Sequence, residues 1–168
     1  MATFRIDPRR SKVWIEARSS MHPIHGEADG LEGSIRADVA DGSIDLSEGP
    51  KIQIELPVDK LQSGKKLEDA EMMRRIDARR YPTIRGETTE FKENGGRYEV
   101  RGDLTFHGVT RQVEGEVTIS APDERSLVIE GEQTFDIRDF GVDPPKILML
   151  KVHPDVKVRV KVVAQQES

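Results

Sequence analysis

Histidines, carboxylates and clustered cations are the residues of this chain that could carry chemistry. His22-Pro23-Ile24-His25 places two imidazoles three residues apart, with Glu27 and Asp29 close behind, a donor set that a zinc-like ion accepts. The proline forbids a regular helix there and no pattern fixes a third ligand, so solvated turn histidines are the competing reading. His107 and His153 lie far away in sequence. His25 or His107 could act as general acid or base if a substrate came within reach. Lys65, Lys66, Arg74, Arg75, Arg79 and Arg80 could hold a phosphate or carboxylate head group. The same stretch carries Glu68, Asp69 and Glu71, and Glu71 stands four residues before Arg75, the spacing of a helical ion pair, which favours a solvated, ion-paired face. With no cysteine, thiolate metal sites, disulfides and cysteine nucleophiles are excluded. No nucleophile with a base, no phosphate-binding glycine loop and no nucleotide fingerprint occurs in a supporting context. The expectation is no metal, no catalytic set and no cofactor other than a bound lipid.

Those residues must be positioned by strands. At 168 residues the chain is the size of one domain, expected to span 1–168. Only 35% of it is apolar and 34% is charged, so most strands must turn one face to water, which favours antiparallel sheet. A net charge of −5, spread along the chain, points away from a nucleic-acid partner. No segment reaches the length of a membrane span, and the first residues contain no apolar stretch of signal-peptide type. The expected compartment is the cytoplasm for the chain as it stands, or the periplasm or exterior if a leader was removed.

Period-two alternation runs through Val13, Ile15 and Ala17, through Leu31 to Val39, and through Ile52, Ile54, Leu56 and Val58. It resumes at Tyr98, Val100, Gly102, Leu104 and Phe106, at Val113 to Ile119, at Leu127 to Phe135, and most clearly at Val156, Val158, Val160 and Val162. With a weaker strand from Ile84 to Phe91 and an Ile147–Val152 run, about eight or nine strands result, enough for a closed antiparallel barrel. Turns are expected at Asp41-Gly42, Asn94-Gly95-Gly96, Pro122-Asp123 and His153-Pro154-Asp155. A helical insert interrupts the strands at about residues 61–81, where Leu67 to Ile76 lack Pro and Gly and Met72, Met73 and Ile76 share one arc. That arc suits a lid over an apolar lumen or ordinary packing against the barrel. Gly33, Gly102, Gly115 and Gly131 sit in register with apolar faces, which fits either tight strand curvature or room for something that is not side chain.

Tyr81-Pro82-Thr83-Ile84, the string Gly102-Asp103-Leu104-Thr105-Phe106-His107-Gly108-Val109-Thr110, and Asp139-Phe140-Gly141-Val142 together resemble the YceI-like, polyisoprenoid-binding proteins. The resemblance extends from Ile6-Asp7 to the final valine strand. Arg10-Ser11 stands where members commonly carry His-Ser, and Glu68-Asp69 where they carry Arg-Asp. The resemblance implies a lipocalin-like barrel with a helical insert, often a homodimer, holding a long isoprenoid or fatty-acyl chain without known catalysis. On that reading the ligand lies against Ile52, Ile54, Leu56, Val100, Leu104, Phe106, Val117, Ile129 and Phe135. Met72, Met73 and Ile76 then cover it, and Gly102 and Gly131 keep the lumen open, so that leucine at either position fills space without strain. The alternatives are an enzyme acting on a lipid or quinone-like molecule in the same cavity, and a stress-related interaction module working through its outer face.

Overall fold

The alternating segments pair into a closed ring. The computed structural model describes residues 1–144, 146–147 and 150–167. Its strands are β1 (Ala2–Ile6), β2 (Lys12–Ser19), β3 (Pro23–Ala28), β4 (Glu32–Ala37), β5 (Val39–Ala40), β6 (Ser43–Ile44) and β7 (Lys51–Pro57). After the helix α1 (Lys66–Arg75) come β8 (Thr83–Asn94), β9 (Arg97–Phe106), β10 (Val109–Ser120), β11 (Ser126–Asp136), β12 (Lys146–Ile147) and β13 (Leu150–Gln166). Eight of them close an antiparallel barrel in the order β1-β4-β7-β8-β9-β10-β11-β13, with β13 returning to β1. Closure removes the edges of the eight-strand ring, while the β2–β3 branch off β13 ends at β3, whose outer side bridges to Gln62 through Glu27.

β13 is the longest strand; one edge pairs with β11, and the other serves two strands in turn. Its last residues pair with β1, while Val156 to Lys161 pair with β2, which in turn pairs with β3. The chain steps between β1 and β2 through Asp7 to Ser11, and this step would orphan β13 backbone groups. Ser11, 2% exposed, covers the gap: its Oγ accepts the Val163 N–H at 3.0 Å and donates to the Val163 carbonyl at 3.3 Å. The Asp7 N–H also reaches that carbonyl, at 2.8 Å.

The turns follow glycine chemistry. Asn94-Gly95-Gly96 joins β8 to β9, and Asp41-Gly42 joins β5 to β6, with positive φ at Gly95, Gly96, Asp41 and Gly42. The expected turn at His153-Pro154-Asp155 is not one. These residues lie inside β13, at a bulge between Val152 and Val156, where the ladder is interrupted and a proline costs no hydrogen bond. Of the apolar run Ile147-Leu148-Met149-Leu150, Leu148 and Met149 lie outside the described residues.

At the end away from α1 the barrel is packed solid. Phe4, Ile6, Ile35, Leu127 and Ala164 are at most 1% exposed there. The β5–β6 hairpin closes this floor: Ser43 Oγ stands 2.7 Å from the Tyr98 hydroxyl and donates to the Ile119 carbonyl at 3.1 Å. At the opposite end α1 occupies the expected insert, but it sits high. Leu67 is 70% exposed, and the arc expected from the sequence is split. Ile76, just past the helix, is buried with Val58 and Val142, while Met72 and Met73 are only partly covered.

Candidate functional site

Above the floor the inward side chains no longer meet. Val100, Leu104, Val113, Val117, Val158 and Val160 all point inward, yet each is only half-buried. They surround a cavity of about 450 Å³ whose upper wall is α1 and the loop at Leu61 to Ser63. Its lining is aliphatic on nearly every strand, with Gln133 of β11 the inward polar side chain beside Gly115 and charged groups of α1 at the rim.

Twelve of the fourteen residues chosen from sequence line this space: Ile52, Ile54, Leu56, Met72, Ile76, Val100, Gly102, Leu104, Phe106, Val117, Gly131 and Phe135. Two do not. Ile129 faces inward but belongs to the floor, 5% exposed among Ile119, Leu127 and Val162. Met73 is not part of the cavity lining, although like Met72 it packs against both the barrel core and the Val58, Ile76 and Val142 cluster. Sequence selection passed over Ile15, Ile24, Ile84, Val113, Val158 and Val160, which also line the cavity. Their signal is the same alternation, carried for all but Val113 by strands from which the sequence reading takes no wall residue, and for Val113 by the strand that also bears Val117.

The inward glycines do different jobs. A Cβ at Gly102 would stand 2.5 Å from the Glu87 carbonyl oxygen, because the β8 bulge between Thr88 and Glu90 presses backbone against it. The expectation that leucine fits at Gly102 is therefore wrong, since strand backbone would have to move. At Gly131 the Cβ would meet Val117 Cγ1 at 2.8 Å and the Glu116 carbonyl oxygen at 3.3 Å, so that site is crowded too. Gly115 differs: the nearest atom is the Gln133 Oε1 at 3.7 Å, an ordinary contact. Curvature and close approach explain the first pair, and open space explains Gly115.

The rim is polar and tied together. Asp69 Oδ1 accepts from both the backbone N–H and the hydroxyl of Ser63 at 2.8 Å, fastening the Leu61 to Lys65 loop to the first turn of α1. Arg74 Nη2 donates to both Glu71 carboxylate oxygens at 2.8 Å, and Arg75 Nε to one at 2.9 Å. The Arg74 hydrogen bond, then that of Arg75, lowers the Glu71 pKa from its ordinary value. The ion-paired face expected from the Glu71 to Arg75 spacing is thus present, although Arg75 also reaches the cavity lining.

The histidines stand apart from the lumen. His107 heads the two-residue turn between β9 and β10 with φ of 55°, donates from Nδ1 to the Phe140 carbonyl at 3.0 Å and meets Tyr81 edge to face at 5.0 Å. That role is structural. His25 faces outward on β3, bordering a polar external groove with Trp14, whose ring is covered by Arg159 at 4.3 Å. No three or more His, Cys, Asp or Glu side chains are gathered for a metal among the described residues.

A closed antiparallel barrel with a sealed floor, a largely apolar lumen and the helix α1 at the open end defines a lipocalin-like protein. The chain belongs to the YceI-like domain family, whose pattern matches residues 4–164. A UPF0312 protein of Pseudomonas putida is 24% identical over 168 residues, covering 94% of this chain and 85% of the relative. A UPF0312 protein of Pseudomonas savastanoi pv. phaseolicola is 27% identical over 130 residues, covering 73% and 65%. Among solved structures, Burkholderia cenocepacia BcnA superposes with a TM-score of 0.80 at 20% identity, over 95% of this chain and 99% of that one. A polyisoprenoid binding domain from Saccharophagus degradans gives 0.77 at 10% identity, over 99% and 100%. These likenesses establish the shared barrel.

Proposed function

We propose that this protein binds one long apolar lipid, such as a polyisoprenoid, an isoprenoid quinone or a fatty-acyl chain, inside the barrel and carries or stores it without chemical change. The observation that carries this reading is the aliphatic cavity of about 450 Å³ lying above a solid floor. It falls within the roughly 300–1,000 Å³ of small-molecule sites, and its walls offer an apolar chain little but contact surface. At about 0.8 kcal/mol per buried methylene, ten such groups supply roughly 8 kcal/mol before the costs of association. The Saccharophagus degradans domain described as polyisoprenoid binding supports the same use of the fold. The placement of His107 in a turn and of His25 on the outer face speaks against the enzyme alternative.

The test is solvent extraction and mass spectrometry of protein purified without detergent, followed by uptake of added prenyl and acyl lipids by the emptied protein. A stoichiometric apolar lipid, unchanged on incubation, is expected. An empty protein that takes up neither class would overturn the reading, and turnover of the extracted lipid would replace it with the enzyme.

A further inference from the structure

The loops at the two ends of the barrel differ in their balance of charge. The segment from Val58 to Pro82, which roofs the cavity, holds seven Lys and Arg against five Asp and Glu, in a chain whose net charge is −5. Lys66, Arg79 and Arg80 are exposed there and make no ion pair among the described residues. Arg18, Lys146 and Lys151, also exposed, lie at the same end. At the floor end the segment between β4 and β7 holds Asp38, Asp41, Asp45 and Glu48 with no Lys or Arg, and that between β10 and β11 holds Asp123 and Glu124 with Arg125.

The open end also holds two large apolar side chains with nothing over them. Met21 is 77% exposed at the tip of the β2–β3 hairpin, and Leu67 is 70% exposed in the first turn of α1. The hairpin tip is held to the start of β13 by the Ser20 N–H, which donates to the Lys151 carbonyl at 2.8 Å. Lys151 pairs with Lys146 of β12, and β12 lies against α1. Met21 and Leu67 therefore stand on one rim among exposed cations. Among the described residues the other large apolar side chain so exposed is Met1, at the far end.

We infer that this rim docks on the surface of an anionic lipid bilayer, with Met21 and Leu67 entering the head-group region and Lys66, Arg79 and their neighbours meeting lipid phosphates. The inference rests on the lipid-carrier reading, since a ligand insoluble in water must enter from a membrane. Apolar side chains set in a basic surround fit a bilayer interface, and the acidic floor end would orient the barrel with its mouth down.

Cosedimentation with phosphatidylcholine vesicles, with and without phosphatidylglycerol, tests it. Binding is expected to the anionic vesicles, weakly to neutral ones, and to fall with salt. Met21→Asp/Leu67→Asp and, separately, Lys66→Glu/Arg79→Glu should each weaken it, the latter by about fivefold or more per reversed charge. Lys51→Glu, at the floor end, should not. Circular dichroism and melting confirm that each variant is folded. Equal binding to both vesicles, no binding, or equal loss in Lys51→Glu would overturn the proposal. So would a dimer in sedimentation that Met21→Asp/Leu67→Asp dissociates, which would give the rim to a second copy. Extracted lipid measured on the same proteins separates the two ideas: retained lipid without docking overturns docking alone, and docking by a protein that never holds lipid overturns the carrier reading alone.

Discussion

Gly115→Leu separates a ligand cavity from mere loose packing. Gly115 lies on β10 with its missing Cβ directed at the lumen, and a built Cβ meets nothing closer than the Gln133 side chain at 3.7 Å. The four added carbons therefore enter empty space without moving backbone, and replacing glycine in a strand interior favours the strand. A ligand chain must surrender the volume of about four methylenes, each worth about 0.8 kcal/mol, so affinity should fall by roughly 3 kcal/mol, on the order of a hundredfold. The melting temperature of the emptied protein should hold or rise. Titration of emptied wild type and variant with a fluorescent prenyl or acyl probe, beside thermal melts, reads both quantities. A folded Gly115→Leu that binds as wild type would refute the placement of the ligand. A sharp loss of stability would refute the claim of open space, which is the outcome reserved for Gly102→Leu, where the Cβ would press to 2.5 Å from the Glu87 carbonyl oxygen.

Ile129→Ala should cost about 2–5 kcal/mol of stability by denaturant melts. Lipid bound per folded molecule should stay unchanged, because Ile129 belongs to the floor. Ser11→Ala strips the Val163 N–H and carbonyl of their buried partner and should cost about 1–3 kcal/mol, read as a fall in melting temperature of about 2–4 °C per kcal/mol. Unchanged melting would show that water replaces the hydroxyl. Glu71 has a folded pKa held below the ordinary glutamate value by Arg74 and Arg75. Its stabilisation is thus fully present above that ordinary value and disappears as pH falls through the lowered one. Melts of wild type and Glu71→Gln should therefore differ at neutral pH and converge only in acid below the usual glutamate range, and convergence at higher pH would contradict the pairing.

Alternation identifies nearly every barrel strand, because the inward and outward faces of a ring meet environments as different as apolar side chains and water. It assigns a residue to a face, however, and says nothing of its height along the barrel. Ile129 and Val117 have the same pattern, yet one packs the floor and the other walls the cavity. Height depends on register and tilt, which are set by pairings between strands distant in sequence. The bulges at Thr88 to Glu90 and Val152 to Val156 were hidden for the same reason, and with them the true roles of Gly102 and Pro154. His107 was read as a possible acid or base from its type alone. Its place beside Gly108, both with positive φ, was the local sign of a turn. The insert is legible in position but not in tilt, and tilt decides that Met72 borders the cavity while its neighbour Met73 does not.

The two halves of the barrel answer different demands. A sealed void is expensive in a protein core, at about 24 cal/mol per Å³, so an enclosed space of about 450 Å³ would cost roughly 10 kcal/mol, the size of a whole domain's stability. The fold avoids that cost by leaving the space open at the α1 end and concentrating its fully buried contacts in the floor, where Phe4, Ile35, Leu127 and Ala164 pack tightly. Around the upper half the strand ladders, continued from β13 through β2 to β3, pair the wall's backbone without needing side chains to fill the space, while the β1–β13 pairing that closes the ring lies in the floor. The contacts missing from the upper half are then available to a guest. On the proposed function, the same underpacking that adds nothing to folding would become free energy of binding, and the polar clasp of Asp69 on Ser63 holds the rim above it in place.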